Sequence, residues 1–132
     1  MKQLSSFAQY PIVFLRFALA AVLIYFGQDA VRNSEMHMYT WLSEWTLSLP
    51  VIGTPQFIFV LGVTQLLVAS LLLFGVYLRP AALIAAGLLV GIIVNLALLG
   101  DFGAVFRNIG LLAGALVLAT QKEFWLALKP EL

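Results

Sequence analysis

The sequence contains no cysteine and only one histidine, His37. Without thiols the chain has no disulfide, no thiol relay and no cysteine ligand for a metal cluster, whatever compartment it faces. A single histidine and the lack of an acid pair in the apolar stretches also remove the usual groups for acid–base or covalent catalysis. We therefore expect no autonomous enzyme and no intrinsic cofactor.

Charge is scarce as well. Charged residues make up 10% of the sequence and hydrophobic residues 63%, whereas a soluble domain carries about a quarter charged residues. Such a chain cannot cover an ordinary water-exposed surface, so we expect the lipid bilayer around it. The net charge of +1 offers no basic patch for phosphates, which argues against a nucleic-acid partner. We expect a single membrane domain over residues 1–132.

Two long apolar runs occupy the middle of the chain. Neither residues 57–78 nor residues 81–100 include a charge, and only Arg79 and Pro80 separate them. About 20 residues of helix span the roughly 30 Å hydrocarbon core of a bilayer. Proline is tolerated at a helix start but not in a helix interior, so Pro80 marks the beginning of a second helix. The pattern predicts a transmembrane hairpin with Arg79 at its tip.

Two further apolar stretches flank this hairpin. One opens at Pro11, and the other begins near Arg107 after a loop with a turn signal at Gly103. The four predicted helices cover about 11–30, 56–78, 81–99 and 107–121. The predicted fold class is all-α: an integral membrane four-helix bundle with a short interfacial helix between helices 1 and 2.

Arg16 interrupts the first apolar stretch. A signal peptide is one alternative, but the length of the stretch and this internal charge favour an uncleaved helix. Arg16 lies within about a turn and a half of the expected helix start, so we expect its guanidinium to reach the headgroups. A buried, functional arginine is the alternative.

The longest polar segment covers residues 28–54. Trp41 and Trp45 lie there at helical spacing, and tryptophan favours the headgroup layer. We therefore expect a short helix on the membrane surface, capped by Ser34. Trp125 is predicted as a further interfacial aromatic.

The same segment contains the weak metal candidates Met36, His37 and Met38. Thioethers and imidazole suit Cu(I). However, consecutive residues of a helix do not converge on one point, and no second histidine is available. The prediction is that the chain has no metal site.

The basic residues predict an orientation. If the N-terminus is cytoplasmic, the inner side has more basic residues than the outer side, and the positive-inside rule then places both termini in the cytoplasm. The inner residues are Lys2, Arg79, Lys122 and Lys129, and the outer residues are Arg32 and Arg107.

This orientation collects polar residues at the outer end of the bundle, with Gln65 deeper. Polar groups in lipid need partners, so these side chains should face the bundle interior. One interpretation is an outward-opening pocket in which Arg107 binds an anion or a carbonyl. The alternative is that Gln65, Asn95 and Arg107 satisfy one another as helix contacts. The pocket candidates are Gln28, Asp29, Gln65, Asn95, Asp101, Arg107 and Asn108.

Several short motifs follow one another along the chain. They are Leu15-Arg16-Phe17-Ala18, Phe26-Gly27, the apolar run 62–75, Leu78-Arg79-Pro80-Ala81-Ala82 and Phe106-Arg107-Asn108-Ile109-Gly110-Leu111-Leu112. In this order and spacing they resemble the DoxX-like family of small four-helix membrane proteins, over nearly the whole chain.

The resemblance implies a multi-pass protein of a bacterial or archaeal inner membrane that is associated with redox systems. Founding members look like subunits of a thiosulfate:quinone oxidoreductase, and others accompany oxidative-stress or sulfur-handling partners. Members often have an acid in the second helix and another after the fourth-helix arginine, where this chain has Gln65 and Asn108. Proton coupling at those two positions is therefore not expected.

Three function classes remain. The first is an accessory or quinone-contacting subunit of a membrane redox system, with another membrane or membrane-associated redox protein as its partner. The second is a small transporter or channel, although neither Gln65 nor Asn95 supplies the titratable group that a proton-driven exporter needs. The third is a structural membrane partner. Homo-oligomerisation stays open.

Overall fold

The computed structural model describes residues 2–121, with side chains described for residues 10–121. Within that range the chain forms six helices: α1 (Lys2–Arg32), α2 (Ser34–Trp41), α3 (Glu44–Leu47), α4 (Pro55–Phe74), α5 (Leu78–Leu99) and α6 (Phe102–Thr120). Helices α1, α4, α5 and α6 are long and apolar enough to cross a membrane. The predicted all-α membrane bundle is confirmed. Trp125, Lys122 and Lys129 lie outside the described residues.

Small and branched apolar side chains from the four long helices form the core. Helix α1 packs mainly on α4, and α5 packs mainly on α6, while α4–α5 and α1–α6 contacts complete the bundle. The α5 contribution is rich in alanine, which lets neighbouring helices approach closely. The buried core residues include Leu19, Ala20, Leu23, Val68, Ala69, Leu72, Leu78, Ala81, Ala82, Ala85, Leu89, Ala115 and Leu118.

Helices α1 and α4 meet closely where two glycines face each other. A Cβ placed on Gly62 would lie 2.8 Å from the Ala30 Cβ and 2.8 Å from the Gly27 carbonyl oxygen. A larger residue would therefore need a shift of the helix backbone. This contact holds the end of α1 that includes Asp29 firmly against α4.

The connection between α4 and α5 is a tight turn. Gly75, the residue after α4, has a φ of 72°, and Tyr77, the residue before α5, has a φ of 49°. Both residues therefore have a left-handed backbone conformation. Pro80 lies in the first turn of α5, where a backbone N–H would have no acceptor within the helix, so proline costs no hydrogen bond there. The Arg79 Nε donates a 2.8 Å hydrogen bond to the carbonyl oxygen of Gln121, the residue that ends α6. The cation thus lies at the negative end of a helix dipole.

Three helix starts differ from the prediction. Helix α1 begins at Lys2 and contains Pro11, since one proline removes only one backbone hydrogen bond from a long membrane helix. Helix α5 begins at Leu78 rather than at 81. Helix α6 begins before 107 because Asp101 Oδ1 accepts a 3.2 Å hydrogen bond from the Ala104 N–H and so caps the helix. Gly103, which we expected in the loop before this helix, lies in the first helical turn of α6.

The polar segment between α1 and α4 forms two short helices, where we predicted one. The break comes at Leu42, whose backbone is extended, and Ser43 then caps α3 by accepting a hydrogen bond from the Thr46 N–H. Ser34 does not act as the predicted cap. It is the first residue of α2, and its hydroxyl donates a 2.6 Å hydrogen bond back to the Ala30 carbonyl oxygen.

Candidate functional site

Asn95 of α5 fixes the break between the two short helices. Its Oδ1 accepts hydrogen bonds from the Ser43 N–H at 3.1 Å and from the Thr46 hydroxyl at 3.3 Å, and its Nδ2 donates to the Trp41 carbonyl oxygen. These backbone groups lie at helix ends and have no helical partner. Because α2 also packs on α1 and α4, the pair of short helices is held across one end of the bundle.

This placement brings His37 of α2 onto Asp29 in the last turns of α1. The His37 Nδ1 lies 2.6 Å from the Asp29 Oδ2, and the Asn33 Nδ2 donates a 3.4 Å hydrogen bond to the other carboxylate oxygen. The His37 side chain is 12% exposed and the Asp29 side chain 37% exposed. The two groups form a partly buried hydrogen-bonded pair near the end of the apolar helix α1.

One aromatic ring lies beside the histidine, and a second ring packs on the first. The Trp41 ring centroid lies 5.9 Å from that of His37, and Phe26 meets Trp41 edge to face at 5.4 Å. Such edge-to-face pairs are favourable beyond the area they bury. We call the five residues Phe26, Asp29, Asn33, His37 and Trp41 the α1–α2 site.

The chemistry of the α1–α2 site follows from which nitrogen of His37 bears the hydrogen. An ionised carboxylate acts only as a hydrogen-bond acceptor, so with Asp29 ionised the His37 Nδ1 is the donor. In the neutral ring the Nε2 is then an acceptor. Among the described residues, nothing bonds to this nitrogen. The site therefore offers one orientated hydrogen-bond acceptor beside aromatic rings.

A shallow groove adjoins the site on the polar side of α2. Its volume is about 620 Å³, and Asn33 is the residue that it shares with the α1–α2 site. The groove is open to its surroundings and brings no further ring against His37. Its lining residues are Arg32, Asn33, Ser34, Glu35, Met36, Tyr39 and Thr40.

Three of the other predicted pocket residues make local contacts. Gln28 donates a 3.1 Å hydrogen bond to the Tyr25 carbonyl oxygen and accepts one from Arg32 at 3.4 Å. Asn108 donates to the carbonyl oxygen one turn earlier in α6, at 2.7 Å. Asp101 caps α6, as described above. None of these three contributes a hydrogen bond to the α1–α2 site.

Gln65, Asn95 and Arg107 do not bond to one another. Gln65 of α4 is 4% exposed, and its Oε1 accepts no hydrogen bond from the described part of the chain. Arg107 is exposed on α6 and is not joined there to Gln65 or Asn95. Asn95 is engaged with the short helices instead, so the hydrogen bonds among these three residues that one of the two interpretations required are not found in the described part of the chain.

Arg16 lies elsewhere than predicted. We expected its guanidinium at the headgroups, but the residue is only 1% exposed and its Cζ lies 5.0 Å from the Phe17 ring centroid. Arg16, Leu19, Ala20 and Leu23 are spaced as one stripe of α1, and the last three face the core. Arg16 therefore points into the bundle.

The weak metal candidates face different surroundings. Met36 is exposed, Met38 is buried against Ala30 and Ile58, and His37 bonds to Asp29. Residues 2–121 include no group of three or more histidine, cysteine, aspartate or glutamate side chains that could hold a metal. His37 thus belongs to the α1–α2 site rather than to a methionine cluster.

The contact of His37 with Asp29 was not predicted from the sequence. His37 lies eight positions after Asp29. Because the helix is interrupted near Asn33, helical periodicity cannot show that the two side chains lie on the same face. The only sequence signal of this break was Asn33, a short polar residue between two helical segments. Trp41 and Trp45 were both expected as interfacial aromatics. Trp41 lies beside His37, and Trp45 is exposed on α3.

A comparison with protein-family models gives one match. The family model described as DoxX matches residues 12–100, which include most of α1, all of α2 to α5 and therefore the whole α1–α2 site. No curated protein and no solved structure matches the chain.

Proposed function

The chain belongs to the DoxX family, and from that premise we propose that it is an accessory, quinone-contacting subunit of a membrane redox system that handles sulfur compounds or oxidative stress. The α1–α2 site is the observation that supports this function. There, His37 is bonded to Asp29 and lies beside the Trp41 ring.

A quinone headgroup has the features that this site can recognise. It is a flat ring with oxygens at opposite edges, attached to a long apolar tail. The Trp41 and Phe26 rings supply apolar faces for the headgroup, and the His37 Nε2 can accept a hydrogen bond where a headgroup oxygen bears a hydrogen. Because Asp29 lies near the end of the membrane-spanning part of α1, a headgroup bound there would lie at the membrane edge with its tail in lipid.

An accessory role fits the composition of the chain. Without cysteine and with a single histidine, the sequence cannot bind an iron–sulfur cluster through thiolates or a haem through two histidines. Electrons would therefore reach or leave the bound quinone through redox centres of a partner protein. We expect that partner in the same membrane or docked on its surface.

The localisation follows in two steps. The four long apolar helices and the family indicate a multi-pass membrane protein. We propose the inner membrane of a bacterium or archaeon, with both termini cytoplasmic because of the positive-inside pattern. In this orientation the α1–α2 site faces the outer side.

The experiment uses tryptophan fluorescence, because quinones quench nearby indole rings. A short-tailed ubiquinone is titrated into the purified full chain in mild detergent. We expect saturable quenching that is largely lost in Trp41→Phe and retained in Trp45→Phe, since Trp45 lies outside the site. Lipid extracts of the purified protein should also contain quinone.

Two results would contradict the proposal. One is linear, unsaturable quenching that is equal in both variants, which would indicate only partition of quinone into the micelle. The other is selective ion flux through the protein in liposomes, which would favour a transporter or channel. The isolated chain should show no turnover of thiosulfate with quinone.

A further inference from the structure

We propose that the α1–α2 site binds the reduced hydroquinone in preference to the oxidised quinone, with the His37 Nε2 accepting a hydrogen bond from a hydroquinone hydroxyl. This inference rests on the proposed quinone-contacting function and names the redox form that the site takes. It concerns binding only; any electron transfer would need the redox partner.

The first step is the position of the histidine hydrogen. The Asp29 Oδ2 lies 2.6 Å from the His37 Nδ1, while the Asn33 side-chain amide donates to the Asp29 Oδ1 at 3.4 Å. An ionised carboxylate has no hydrogen to donate, so with Asp29 ionised the hydrogen between Asp29 and His37 belongs to the Nδ1. A carboxylate at one ring nitrogen commonly fixes the tautomer of a histidine in this way.

The second step is the consequence at the opposite nitrogen. A neutral histidine that donates from the Nδ1 can only accept at the Nε2. A quinone oxygen is a carbonyl and also only accepts, so the two would repel. A hydroquinone oxygen bears a hydrogen and can donate. The pair Asp29–His37 therefore distinguishes the two redox forms of the same ligand.

The third step is access. The His37 side chain retains 12% exposure, and no described residue bonds to its Nε2. Trp41 is 37% exposed, so part of its ring remains open beside the imidazole. The Arg32 guanidinium, on the preceding helix, donates to the Gln28 Oε1 at 3.4 Å. The acceptor nitrogen is thus the polar group of the site that is available to a ligand.

The test compares the two redox forms on the same protein. A short-tailed ubiquinol and the matching ubiquinone are titrated anaerobically into the full chain at the same pH. Trp41 fluorescence and the melting temperature report binding. We expect the ubiquinol to bind about tenfold more tightly, as a net hydrogen bond of about 1.4 kcal/mol gives.

Asp29→Asn is the informative variant. An asparagine amide can donate to the His37 Nδ1 and so permits the other tautomer, with a hydrogen on the Nε2. We expect the preference for ubiquinol to disappear or to invert toward ubiquinone. Glu35→Gln is the matched control, because it removes an exposed acid of α2 outside the α1–α2 site and should leave the ratio of the two affinities unchanged.

A direct measurement does not depend on any variant. Because His37 is the only histidine, ¹⁵N-labelled histidine gives the NMR signals of this one ring, and we expect the tautomer with the hydrogen on the Nδ1. The opposite tautomer, a doubly protonated ring, or equal affinities for the two redox forms would overturn the inference while leaving the proposed function standing. Failure of both forms to bind would overturn both.

Discussion

The Asn95 side chain of α5 accepts a 3.1 Å hydrogen bond from the backbone N–H of Ser43, 52 positions earlier in the chain. This contact lies at the break between α2 and α3, next to the hydrogen bond from Asn95 to the Trp41 carbonyl oxygen. One amide therefore satisfies backbone groups of both short helices. It also fixes where Trp41, and with it the α1–α2 site, lies on the bundle.

Replacing Asn95 should release this segment. We expect Asn95→Leu to lower the free energy of unfolding by about 1–3 kcal/mol, because backbone groups at the helix break lose their partner. Limited proteolysis should then cut more rapidly between α1 and α4. Asn108→Leu is the control, since Asn108 bonds only within its own helix. Equal proteolysis of the two variants would show that Asn95 does not hold the short helices.

The four long helices could be predicted because run length and composition decide whether a segment can span a bilayer. The residues that form the site could not be predicted in the same way. Asp29 and His37 lie on two helices whose separation depends on a break near Asn33, and the position of α2 depends on a distant partner, Asn95. Neither relationship has a periodic signature in the sequence.

Arg16 is a second residue whose position could not be predicted from the sequence. In a helix that is apolar on all sides, hydrophobic periodicity does not tell which side faces the bundle and which faces lipid. The position of Arg16 near the start of the apolar stretch therefore suggested the headgroups. Only the packing of α1 on its neighbours shows that the same stripe includes Leu19 and Leu23 of the core.

The packing of α1 on α4 gives the second prediction. Gly62→Ala should lower the free energy of unfolding by about 1–3 kcal/mol, because the new methyl group would lie 2.8 Å from Ala30 and from the Gly27 carbonyl oxygen. Thermal unfolding in detergent measures the loss. Gly91→Ala is the matched control on α5, since no atom lies within 4 Å of its added Cβ. A loss of similar size in both variants would contradict the close contact.

Two arginines of the long helices, Arg16 and Arg107, should differ sharply in their effect on stability. Arg16→Ala removes a large side chain that is 1% exposed, so we expect a loss of about 2 kcal/mol or more in the free energy of unfolding. Arg107→Ala removes an exposed side chain and should change that free energy by less than about 0.5 kcal/mol. Thermal melts of the two purified variants provide the measurement. The reverse order would show that Arg107, rather than Arg16, is built into the bundle.

The last prediction concerns the orientation in the membrane. The inner side of the proposed topology includes Arg79, which bonds to the end of α6, whereas the outer side includes the acid that caps the start of α6, Asp101. A reporter joined after Gly100, between α5 and α6, should therefore be active outside the cytoplasm. A reporter joined after Leu132 should be active in the cytoplasm, because one further helix, α6, separates the two points. Activity of the two fusions on the same side would contradict the membrane passage of α6, and activity on exchanged sides would invert the orientation and place the α1–α2 site toward the cytoplasm.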